Sequence, residues 1–176
     1  MRPPGMAWVL PGWRGTVTPE AKEIPAALLA AASSLAEELV GDFFSLGARD
    51  WQRLQYQVFK LPLEEEGLAS LALLEVPALL PRRRRWFYGL FLAESRILTL
   101  AQGPSLEALL LYIFTHELIH MVRFSKFWAS FWMPYSLRAQ EERKVHQLAR
   151  EVLARLRWAA LAEIILRFDQ IYAQEV

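Results

Sequence analysis

The sequence predicts an α+β fold in a single domain, residues 1–176: a small, mostly antiparallel sheet packed on a buried helix that carries His116-Glu117-Leu118-Ile119-His120, followed by further helices. Three observations lead there. Residues 54–58 alternate apolar and polar side chains, as a strand with one wet face does. Apolar runs at 68–76 and 86–92 are separated by Pro77, Pro81 and the arginines Arg82 to Arg85, which reads as strands and turns. Beyond Gly103 the chain changes to strong helix formers with only short breaks. A length of 176 residues, 54% hydrophobic and 22% charged, suits one folded domain with one core.

Each element has its own signal. Residues 1–24 are rich in proline and glycine, which predicts an irregular arm laid over the surface and anchored by Trp8 and Trp13. An alanine- and leucine-rich helix follows over 25–40, with Pro25 in its first turn and Gly41 just past its end. The strands are expected at 54–58, 68–76 and 86–92, with 97–100 continuing the set and turns at 64–67 and 77–83. Ser105 is a natural N-cap for a helix that runs to about Val122 and is apolar nearly all round, hence buried. A second helix over 137–156 has an apolar stripe of Val145, Leu148, Ala149, Val152, Leu153 and Leu156. A last helix spans 159–173.

Composition removes several classes of function. The formal net charge is +1, so no strong field recruits nucleic acid, and the arginine run is a local feature of a solvated turn. With no cysteine there is no disulfide, no thiolate metal site and no cysteine nucleophile. The first residues lack the apolar run of a signal peptide, which places the protein in the cytoplasm as an expectation. The apolar stretch at 108–115 falls short of the roughly 20 residues of a membrane span, so none is expected. Asparagine is absent and arginines outnumber lysines, which fits a thermophile and equally an arginine- and alanine-biased genome.

His116 and His120 are four residues apart, so on a helix they lie one above the other on one face and both imidazoles can reach one metal ion. Glu117 projects about 100° round the helix from His116, where it can touch a metal-bound water without being a ligand. Two core histidines satisfied by backbone groups would leave a buried Glu117 unexplained. A catalytic zinc takes three protein ligands and keeps a fourth position open. The candidates for the third are Glu142, Glu141 and His146, at about 40°, 55° and 85° from the centre of the apolar stripe of their helix. Glu142 therefore comes first. His146 is either the ligand itself or a partner beside the metal.

These residues resemble the zincin metallopeptidases, whose signature is HExxH on a buried helix; His116, Glu117 and His120 match it completely. A small sheet before the helix and further helices after it are also similar to that family's core. The return to Glu142 looks like the glutamate-ligand zincins, although the aspartate often found one turn after that ligand is replaced here by His146. The resemblance implies a zinc ion as cofactor, a peptide or protein as substrate, and Glu117 as the base that takes a proton from zinc-activated water. It also implies that an edge strand just before the helix, within 86–100, binds an extended peptide by strand addition.

Between the two helices the aromatic residues Phe124, Phe127, Trp128, Phe131, Trp132 and Tyr135 crowd a short stretch, which fits a substrate pocket, a partner groove or plain core packing. Tyr112 and Tyr135 are candidate donors to a tetrahedral intermediate, and spacing selects neither. Two rival functions remain open at this point. One is a metal-stabilised protein-binding module of the same fold without hydrolysis. The other is a di-iron carboxylate bundle, since Glu117 and His120 spell one Glu-x-x-His pair, while Glu142 and His146 are spaced four apart instead of three.

Overall fold

A computed structural model describes residues 6–12, 23–61, 67–74 and 87–174. Among these the elements run β1 (Met6–Pro11), α1 (Ala26–Phe44), α2 (Ala48–Arg53), β2 (Gln55–Leu61), β3 (Gly67–Leu74), β4 (Phe87–Ala93), α3 (Glu94–Leu100), α4 (Pro104–Ser125), α5 (Tyr135–Leu153) and α6 (Ala159–Gln174). The class is α+β, with a four-stranded mixed sheet in the order β1-β3-β4-β2. The pairs β1/β3 and β3/β4 are antiparallel and β2/β4 is parallel. The turn at 77–83, the arginine run at 82–85, Trp13 and all but Gly67 of the turn at 64–67 lie outside the described residues.

Four expectations need correction. Part of the N-terminal arm is a strand, because Trp8 and Leu10 can bury their side chains once β1 pairs with β3. Gly67 permits that close approach: a Cβ there would stand 2.6 Å from the Leu10 carbonyl oxygen. Residues 97–100 form the end of α3, not a strand; a four-residue apolar run carries no period that separates the two. Ser105 is not the cap of α4. Gly103, at φ 53°, turns the chain and Pro104 opens the helix, a position where a missing N–H costs nothing. Finally, the strand before the helix is not at an edge: β4 lies between β3 and β2, and among the described residues the outer strands are β1 and β2.

Helix α4 is the centre of the molecule. It packs against α1, α3, α5, α6 and β3, and every residue from Ala108 to Val122 is buried. By length and composition α4 could cross a membrane, but 89% of its apolar window is buried inside the protein itself. Strand β3 is buried without alternation over its first six residues, as expected of an inner strand covered by helices. Burying His116, Glu117 and His120 on such a helix is costly unless something satisfies them.

Candidate metal centre

His116 and His120 of α4 meet a carboxylate supplied by α5. Glu142 Oε2 lies 3.0 Å from His116 Nε2, and Glu142 Oε1 lies 3.3 Å from His120 Nε2. One ligand atom from each of His116, His120 and Glu142 falls within 4.8 Å of the others. The two imidazoles stand edge to face with centroids 4.9 Å apart, as their spacing of one helical turn dictates. Both histidines are fully buried and Glu117 is 1% exposed.

Hydrogen bonding accounts for only part of this cluster. His116 Nε2 bonds to Glu142, but His120 Nε2, though within ion-pair distance, is not aligned for a hydrogen bond. Among the described residues His116 Nδ1, His120 Nδ1 and Glu117 Oε2 also lack partners. Buried polar atoms are rarely left this way. Two imidazoles and a carboxylate are a donor set for a divalent metal of the zinc type, so a cation fits the place where His120 Nε2 is orphaned. Ring orientation is held by packing: His116 lies 5.8 Å from Tyr112, and His120 lies 4.8 Å from Trp8 and 5.6 Å from Phe124.

The electrostatics agree with that chemistry. Burial holds the His116 imidazole down at about 4, against the opposing pull of Glu142. Burial also pushes the Glu142 carboxyl up, but the charge of His120 and its contacts with both histidines outweigh this and hold it at about 2. At neutral pH His116 is thus neutral and Glu142 ionised, the forms in which each presents lone pairs to a cation. Glu117 is pushed well above its ordinary value, first by burial and then by the charge of Glu142. A cation nearby would reverse that push.

The remaining candidates have other employment. Glu141 accepts two hydrogen bonds from Arg123, at 2.5 and 2.8 Å, and so ties α5 to the last turn of α4. His146 stands outside the group. Its Nδ1 is 2.7 Å from the Tyr112 hydroxyl and its Nε2 is 2.7 Å from Asp169 Oδ1. With an ionised Asp169 as acceptor, Nε2 carries the proton and Nδ1 accepts from Tyr112. This chain of contacts pins α4, α5 and α6 together beside His116 and Glu142. Tyr172 adds a long contact, 3.4 Å, from its hydroxyl to Glu142 Oε2, and its ring stacks 4.7 Å from His146.

Asp169 and Tyr172 escape a reading of the sequence, since they lie 23 and 30 residues from the side chains they touch. The one signal in the sequence is His146 itself, which stands where the resemblance implies an aspartate. Trp8 is likewise unforeseen at this site. Its ring covers His120, its Nε1–H donates to the Phe131 carbonyl at 3.3 Å, and Arg138 lies 5.5 Å above the ring. In comparisons with known proteins, no family model, curated protein or solved structure matches the chain.

Proposed function

We propose that this chain is a zinc-dependent hydrolase of peptide bonds, with His116, His120 and Glu142 as zinc ligands and Glu117 as the general base. The observation that carries the reading is the convergence of two imidazoles and a carboxylate within 4.8 Å, at a buried place where His120 Nε2 has no hydrogen bond. Zinc, when bound, supplies Lewis acidity and brings the pKa of water toward about 7. Glu117 is held in a dry environment where it takes a proton from water and returns it to the leaving amine. The resemblance to the zincins supports the same assignment of roles.

Access is the demand this reading makes on the fold. His116 and His120 have no exposed surface, and Trp8 on β1 lies against His120, so a peptide reaches the group only when the packing over it opens, and β1 is the candidate cover. The same enclosure favours the second reading, a metal-stabilised binding module without turnover. Glu117→Gln separates the two. The hydrolase reading expects zinc to remain bound while hydrolysis of a responsive peptide falls at least about 100-fold. Unchanged hydrolysis refutes the role of Glu117. No turnover on a wide peptide panel, with a protein that co-purifies tightly, favours the binding module.

A further inference from the structure

We infer that the segment joining α4 to α5, together with the start of α5, docks on the surface of a lipid bilayer that contains anionic phospholipid. Exposed large apolar side chains are scarce over most of the described chain but crowd this stretch: Phe127 is 83% exposed, Trp128 54%, Trp132 68%, Tyr135 87% and Leu137 50%. The backbone beneath them is fixed. Trp132 N–H donates to Ser130 Oγ at 3.2 Å, Met133 N–H to the Ser130 carbonyl at 3.1 Å, and buried Phe131 is held through its carbonyl by Trp8. The aromatic tips are therefore presented outward on a rigid base.

Phe127 has no folding reason to be a phenylalanine. Helix α4 ends with Trp128 N–H on the Arg123 carbonyl at 2.9 Å and Phe127 N–H on the Phe124 carbonyl at 3.2 Å. That termination places Phe127 in the left-handed region, at φ 57°, a position glycine usually fills. A large apolar residue there accepts backbone strain and exposes its ring to water. The cost of exposure, which is the larger reason to avoid phenylalanine there, vanishes if the ring has an apolar phase to enter.

Charge selects a bilayer over a protein as that phase. From residue 118 to residue 140 the sequence holds Arg123, Lys126 and Arg138 but no aspartate or glutamate. Arg123 is engaged by Glu141, and Lys126 lies 3.4 Å from Asp50. The next turn of α5 adds Glu141 and Glu142, which are turned to Arg123 and His116, together with Arg143 and Lys144, which line a cavity of about 450 Å³ with Met133 and Leu137. Exposed aromatic rings, two of them tryptophan and one tyrosine, on a stretch that continues into Arg143 and Lys144, match the boundary between acyl chains and phosphate headgroups. The inference does not depend on the hydrolase reading, since no metal ligand takes part.

Vesicle flotation at about 0.15 M salt tests it, using phosphatidylcholine alone and phosphatidylcholine with about 30% phosphatidylserine. The chain is expected to float with the serine-containing vesicles. Phe127→Ser combined with Trp132→Ser should weaken binding at least about tenfold, and Arg143→Gln or Lys144→Gln about fivefold each. Leu166→Ser, exposed elsewhere, should leave binding unchanged, and unaltered melting curves for all these surface variants show that the fold is intact. Glu117→Gln should bind vesicles like the parent chain. Failure to float overturns the inference, as does flotation that the Phe127 and Trp132 pair does not alter. Self-association or a stoichiometric protein complex through these side chains, without vesicle binding, overturns it as well.

Discussion

Glu141→Gln and Glu142→Gln change adjacent residues of one helix and are expected to fail in opposite ways. Glu141 and Arg123 form a two-bond ion pair, with side chains only 8% and 13% exposed. Removing the carboxylate leaves the guanidinium largely buried without its counter-charge, a loss of about 3 kcal/mol. For a chain of 176 residues this lowers the melting temperature by about 6–12 °C. Zinc affinity should hold, because Glu141 is bonded to Arg123 and is not one of the three converging ligands. Glu142→Gln removes the carboxylate that spans His116 and His120, and should weaken zinc at least about 100-fold, the most that losing a partner outside the ligand shell costs. Thermal melts of the metal-stripped proteins and zinc titration against a competing chelator measure both effects. If Glu141→Gln weakens zinc as much as Glu142→Gln does, or leaves the melting temperature unchanged, the assignment of the two glutamates is wrong.

Other outcomes follow from the same contacts. Trp8→Ala should cost about 3–5 kcal/mol of stability and speed the extraction of zinc by a chelator, because its ring packs on His120; an unchanged extraction rate would mean that β1 does not guard the site. In the metal-free Glu117→Gln protein, which lacks the opposing titration of the raised Glu117 carboxyl, stability should fall as the pH falls. His116 is held at about 4 against an ordinary 6.5, so its contribution is present above pH 6.5 and is lost between 6.5 and about 4. That interval corresponds to about 3 kcal/mol, with His146, lowered by burial against the pull of Asp169, acting in the same sense. Urea titrations across this range check the sign: a midpoint that rises on acidification contradicts it. His116→Gln should flatten the slope.

What the sequence reveals depends on the range of the interactions involved. Helix α4 is legible because its apolar residues occupy every side, a pattern only a central helix tolerates. His116, Glu117 and His120 follow from it, since their spacing is local to one helix. Glu142 is legible at one remove, through its angle on α5. The choice between it and Glu141 rests on Arg123, a partner 18 residues upstream that no periodicity identifies. Strand β1 is hidden for the same reason: proline and glycine argue for an irregular arm, and only pairing with β3, some 60 residues on, makes a strand of it. The Asp169 contact to His146 is a third case, where the chemistry arrives from the last helix. The helical end of α3 is hidden differently, by an apolar run too short to carry a period.

Metal analysis of the purified chain tests the central claim most directly. Elemental mass spectrometry should find one zinc per chain, retained through gel filtration and lost when His116 and His120 are both replaced by alanine. No metal after incubation with zinc, zinc that survives the double replacement, or two irons per chain would each contradict a mononuclear centre built from His116, His120 and Glu142.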